Sequence, residues 1–98
     1  KLYFPFYMHS TSHWLGLDVH DAGKYKDKND KFTQFEEGMI LTIEPGLYFG
    51  EMAQNITNKY KNIGIRIEDD ILITKSGPQN LTEKIPKEIK DIEAIIRS

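Results

Sequence analysis

The sequence contains no cysteine. Disulfides and thiolate metal sites are both excluded, so any transition-metal site must be built from histidine and carboxylates. Basic charge is also short: 13 Lys plus Arg stand against 15 Asp plus Glu, a net charge of −2. Neither nucleic acid nor an anionic membrane surface is therefore an expected partner. No apolar run approaches the roughly 20 residues of a membrane span. No signal-peptide pattern is visible either, and a cytoplasmic location is the expectation. The 98 residues suffice for one small core but are few for an independent enzyme domain. The chain opens Lys1-Leu2-Tyr3-Phe4, and a first segment this apolar reads as the interior of a longer protein.

Residues 1–8 are aromatic and apolar and are expected to pack against a partner surface, with a part of the parent protein absent from this chain as a candidate. Residues 9–23 hold all three histidines and two aspartates, the densest functional composition in the chain. Residues 24–31 form a charged, solvated loop. Met39 to Glu44 is a β-rich run ended by Pro45-Gly46, and Leu47-Tyr48-Phe49 resumes an extended pattern. Residues 50–62 are polar and rich in Asn and Lys, a loop composition. From Ile63 to Thr74, Ile63, Ile65 and Ile67 alternate with Gly64, Arg66 and Glu68, and Asp69-Asp70 separate them from the apolar run Ile71-Leu72-Ile73. That pattern predicts two strands joined by a tight turn, or one bent strand with a bulge. Beyond Pro86, the spacing of Ile85, Ile89, Ile92, Ile95 and Ile96 predicts an amphipathic helix of about three turns that covers a sheet. No internal repeat or second domain is apparent.

Three places could carry chemistry. His9 and His13 are four apart and would share a face on a helix, but no Glu follows His9, so the zincin pattern is absent. Gly16 and Val19 argue against a helix continuing to His20, and a loop or strand after His13 fits better. Scattered surface histidines would be an equally ordinary reading. Glu44 closes a strand-like run at a strand-to-turn junction, where an exposed edge carboxylate is also common. Glu68 shares a strand face with Arg66, opposite Ile65 and Ile67, and a surface salt bridge would explain both. Taken together, imidazole and strand-borne carboxylates without cysteine suit Mn²⁺, Co²⁺ or Zn²⁺. One imidazole and two carboxylates carry too little negative charge for two divalent ions roughly 3.5–4 Å apart, so further carboxylates are expected from elsewhere.

The strings His9-Ser10-Thr11-Ser12-His13-Trp14-Leu15-Gly16-Leu17-Asp18-Val19-His20-Asp21, Ile43-Glu44-Pro45-Gly46-Leu47-Tyr48 and Gly64-Ile65-Arg66-Ile67-Glu68-Asp69-Asp70 resemble the last three motifs of the aminopeptidase P family. Its wider superfamily has the pita-bread fold and includes prolidase, methionine aminopeptidase and creatinase. The resemblance implies an α+β chain, residues 1–98 forming the C-terminal part of a catalytic domain. That part would be a mostly antiparallel curved sheet with a C-terminal amphipathic helix, and the upstream half and N-terminal domain would be absent.

The resemblance also implies roles. His13, Glu44 and Glu68 would ligate metal, with Glu68 bridging two ions and Glu44 a candidate general base toward the attacking water. His20 would stabilise the oxyanion, and His9 would line the pocket for a proline ring. Arg66 and Tyr48 would contact substrate or orient ligands. The cofactor would be two divalent ions, Mn²⁺ by family expectation with Zn²⁺ or Co²⁺ as alternatives. The family's two aspartate ligands lie upstream, and Asp18, Asp21 and Asp69-Asp70 do not match their motif. Ser10 stands where the family has glycine. The implied reaction removes the first residue of Xaa-Pro peptides, in a parent expected to be a homo-oligomer. The alternatives are prolidase activity on dipeptides and a non-catalytic binding module. With only part of the ligand set, the chain alone is expected to be inactive.

Overall fold

A computed structural model describes residues 2–51 and 58–98 of the chain. Five strands and one helix follow in order: β1 (Ile40–Ile43), β2 (Gly46–Phe49), β3 (Ile63–Arg66), β4 (Asp69–Thr74), β5 (Gly77–Asn80) and α1 (Ile89–Arg97). All pairing between these strands is antiparallel, β1 with β4, β4 with β5, and β2 with β3. The fold is α+β, as expected.

The Ile63–Thr74 region resolves the choice left open by its alternation. β3 and β4 lie in different ladders, so they are not a hairpin. The β1–β4 ladder pairs Ile43 with Asp69, and the β2–β3 ladder pairs Gly46 with Arg66. Both have the same register, so the two ladders are one long antiparallel ribbon with a break in the middle. The break inserts no residue into either strand, so neither the expected tight turn nor a bulge is present there. Extending the register across it sets Glu44 opposite Glu68 and Pro45 opposite Ile67. The Ile67 amide donates to the Pro45 carbonyl at 3.1 Å. Pro45 has no amide hydrogen to return, which accounts for the interruption.

The segment Thr11–Leu15 runs along the other edge of β1. Leu15, Thr42 and Glu44 amides donate to the carbonyls of Ile40, His13 and Thr11 at 3.1, 2.9 and 2.7 Å. His9 and His13 are therefore not on a helix, because this stretch is extended. A 3-10 turn at Phe4–Phe6 packs on β2, with Phe6 edge-on to Phe49 at 5.4 Å between ring centroids. Leu2 and Phe4 stay exposed. Of the loop expected over 50–62, residues 52–57 lie outside the described residues, and Asn58–Tyr60 forms a 3-10 turn. β5, which follows β4 through Lys75-Ser76, was not anticipated. Its Pro78 obscures a strand signal, yet proline is admissible there because β5 is an edge.

Helix α1 is shorter than expected, 9 residues from Ile89. The α region is disfavoured at Ile85, which precedes Pro86, and Lys87 is used elsewhere. Its ammonium donates to the carbonyls of Thr82 and Ile85 at 2.9 and 3.0 Å and pairs with Asp69 at 2.7 Å. The residues ahead of the helix thus fold as a turn tied to the start of β4. The helix's isoleucines remain at least 41 % exposed, so the expected packing onto a sheet is not made within the described residues.

The Lys87 ammonium holds the Asp69 carboxyl below the usual carboxylate range, helped by hydrogen bonds from Thr82 and Asn80. A carboxylate with a lowered folded-state pKa stabilises the fold above its unfolded pKa, and that contribution fades as pH falls through the folded value. Lys87→Met is therefore expected to destabilise by about 1 kcal/mol at neutral pH. The gap from the unmodified protein should close in acid. Urea unfolding of both at neutral and acid pH checks this, and a gap that persists undiminished in acid would refute it.

The radius of gyration is 16.9 Å, against roughly 13 Å for a compact domain of 100 residues. The sheet is open. Among the described residues only Thr42, Glu44 and Gly46 are buried, and by alternation all three point to one face. Ile43, Leu47, Ile65 and Ile67 on the other face are at least 44 % exposed. Burial is thus concentrated on polar positions, an inversion of an ordinary sheet.

Candidate metal centre

Register and alternation together build the site. Thr42 and Glu44 share a face of β1 and its extension. His13 lies beside Thr42 on the extended Thr11–Leu15 segment, and Glu68 lies opposite Glu44 on the other side. One imidazole and two carboxylates thus converge from three adjacent extended segments, with one ligand atom from each lying within 4.8 Å of the others. Glu44, flanked by Thr11 on one side and by Glu68 on the other, is not the exposed edge carboxylate its sequence position allowed. It is 7 % exposed.

His13 Nε2 lies 3.0 Å from Glu44 Oε1. Its Nδ1–H donates to the Trp14 carbonyl at 2.9 Å, the outer hydrogen bond that turns the other ring nitrogen toward a metal. Glu44 Oε1 also accepts the Thr42 hydroxyl at 3.0 Å, and that hydroxyl accepts the His13 amide at 3.1 Å. One buried threonine therefore positions both neighbours. Arg66 Nε lies 3.3 Å from Glu68 Oε2 and 3.7 Å from Glu44 Oε2. The salt bridge that strand alternation allowed is present, and it joins the two carboxylates.

The donor chemistry fits a divalent cation. Ligand atoms bound at about 2.0–2.2 Å to one ion lie at separations comparable to those here. The Nδ1 contact with the Trp14 carbonyl leaves Nε2 as the His13 nitrogen that faces the carboxylates, and a half-exposed guanidinium lies between the two carboxylates.

The remaining sequence-selected residues surround this group. His20 is exposed, yet its ring meets His13 edge to face at 4.3 Å. His9 lines the same pocket as His13, His20, Glu44 and Arg66. Its Nδ1–H donates to the Ser10 carbonyl, and Nε2 accepts the Tyr48 hydroxyl, both at 2.7 Å. With both nitrogens engaged, His9 offers the pocket its ring face and carbon edge. Tyr48 is aimed by two glycines. A Cβ on Gly46 would come within 2.7 Å of the Tyr48 hydroxyl, and one on Gly64 within 2.6 Å of its Cδ1. The ring lies where side chains would otherwise be. Asp18, Asp21, Asp69 and Asp70 do not join the cluster. Thr42 was missed by sequence reasoning, although its place two residues before Glu44 on an alternating strand was a usable signal. Tyr25, which also lines the pocket, was hidden in a segment that reads as a solvated loop.

The fold and this histidine–carboxylate cluster define a metallopeptidase class, and the comparison with known families agrees. Residues 1–75 match the model of metallopeptidase family M24, and the chain belongs to that family. Within it, the chain is 52 % identical over 92 residues to Xaa-Pro aminopeptidase of Escherichia coli K12, covering 94 % of this chain and 20 % of that protein. It is 51 % identical over 96 residues to the Haemophilus influenzae Xaa-Pro aminopeptidase, covering 98 % and 22 %. Solved structures agree: E. coli aminopeptidase P with the inhibitor Pro-Leu superposes with a TM-score of 0.83 at 50 % identity, over 98 % of this chain and 21 % of that one. The Pseudomonas aeruginosa aminopeptidase gives 0.87 at 42 %, over 98 % and 22 %. The pita-bread fold expected from the motifs is the fold of these neighbours. The chain spans about a fifth of the length of the relatives it matches.

Proposed function

We propose that this chain is the C-terminal part of the catalytic domain of an Xaa-Pro aminopeptidase, and that His13, Glu44 and Glu68 are its contribution to a two-metal centre. The convergence of these three side chains within 4.8 Å carries the reading. Divalent ions there, manganese in our proposal with zinc or cobalt as alternatives, would acidify water and polarise the scissile carbonyl. Glu44, a buried carboxylate of this cluster, would serve as the general base toward the attacking water. His20, edge to face with His13, would offer a donor to the charge that develops on the carbonyl oxygen. The flat ring of His9, held by Tyr48 and Ser10, offers an apolar wall to a proline ring. Arg66 keeps the two carboxylates in register and flanks the substrate.

The rest of the ligand set, two aspartates, would come from upstream. The uncovered isoleucine face of the ribbon and helix would pack on the remainder of the catalytic domain. A cytoplasmic setting and a homo-oligomeric parent go with this reading. Among the described residues no helix is long and apolar enough to cross a membrane.

The test is hydrolysis of an Xaa-Pro tripeptide and an Xaa-Pro dipeptide by the intact protein, beside the 98-residue chain alone. Tripeptide cleavage at the first bond by the intact protein, and none by the chain, is the expected result. Activity on the dipeptide only would make it a prolidase. No hydrolysis by a metal-loaded intact protein would leave a non-catalytic module. Turnover by the isolated chain would show that no upstream ligand is needed.

A further inference from the structure

Tyr25 sits in the loop 24–33, but the loop's base is well tied. The Thr33 amide donates to the Tyr25 carbonyl at 2.9 Å, and the Thr33 hydroxyl to the Lys24 carbonyl at 2.6 Å. The Tyr25 ring stacks on Trp14, with centroids 5.8 Å apart and planes 13° from parallel. This places the ring in the wall of the pocket that holds His13, His20 and Glu44. Its hydroxyl accepts the Trp14 backbone amide at 3.2 Å. A phenol has one proton to donate and room to accept. Here the accepting side is used by the backbone, and the proton of this exposed side chain is open to solvent or to a bound ligand. Tyr48 is the opposite case, its proton being spent on His9.

We infer that Tyr25 is a substrate-binding residue whose hydroxyl donates to an acceptor oxygen of the bound peptide. The inference rests on the peptidase reading above. That oxygen is either a main-chain carbonyl or the terminal carboxylate. A ring braced against Trp14 and a hydroxyl aligned by a backbone amide lose little freedom on binding, which is what makes such a contact effective.

Tyr25→Phe in the intact, metal-loaded protein tests it, with Ala-Pro-Ala as the free acid and as its C-terminal amide. Phenylalanine keeps the stack on Trp14. Loss of the hydroxyl removes the bond to substrate together with the acceptor of the Trp14 amide, and is expected to lower kcat/KM about tenfold, mainly through KM, with metal content unchanged. A loss on both substrates assigns the oxygen to a main-chain carbonyl, and a loss on the free acid alone assigns it to the carboxylate. Unaltered kinetics on both overturn the inference, as does a loss matched by lost metal. An unmodified protein inactive on both peptides overturns the peptidase reading itself.

Discussion

Glu44→Gln in the intact protein is expected to lower kcat/KM by about a thousandfold, roughly 4 kcal/mol in transition-state stabilisation, and to lower the metal bound per chain. The substitution keeps the size and shape of the side chain. Its amide oxygen can still accept the Thr42 hydroxyl that now lies 3.0 Å from Glu44 Oε1, so the ribbon should remain folded. What disappears is a negative charge 3.0 Å from His13 Nε2 and the capacity to take a proton. Two roles are lost together, ligand and base, and the effect should exceed that of removing an orienting hydrogen bond, which is typically about 10–100-fold. Metal analysis and steady-state hydrolysis decide it. Full metal content with activity within tenfold of the unmodified protein would sink both proposed roles.

The sequence carried the fold class and the residues of the cluster, but not the pairings that bring those residues together. His13, Glu44 and Glu68 stand in motifs whose order was legible, and alternation correctly put Arg66 on the face of Glu68. What one strand's pattern cannot encode is its register against another. Glu44 comes to lie opposite Glu68 only because the β1–β4 and β2–β3 ladders continue each other across Pro45, a long-range pairing outside any local window. The helix start was misjudged for a related reason. Isoleucine spacing placed it near Pro86, but the long-range pair Lys87–Asp69 holds those residues in a turn. β5 was hidden because Gly77 and Pro78 are weak strand formers, and it forms as the partner of β4. In each case a tertiary contact overrode a local preference.

The buried face of β1 makes the same point energetically. Thr42 is 1 % exposed, and among the described residues its hydroxyl is the side-chain oxygen that touches both the His13 amide and the Glu44 carboxylate. Thr42→Val preserves the volume and the β-branched shape but deletes that oxygen. A donor on His13 would lose its partner and a buried carboxylate would lose a donor. The expected cost is about 2 kcal/mol of stability, and a metal affinity lower by about 10–100-fold because both ligands lose the group that orients them. Thr42→Ser separates the two effects. It keeps the hydroxyl and removes a methyl, so it should cost about 1 kcal/mol of packing while retaining metal. Thermal unfolding and competition with a chelator measure the two quantities independently. If valine and serine weaken metal binding equally, the hydroxyl is not the positioning group, and the geometry of His13 and Glu44 must be set by the strand backbone alone.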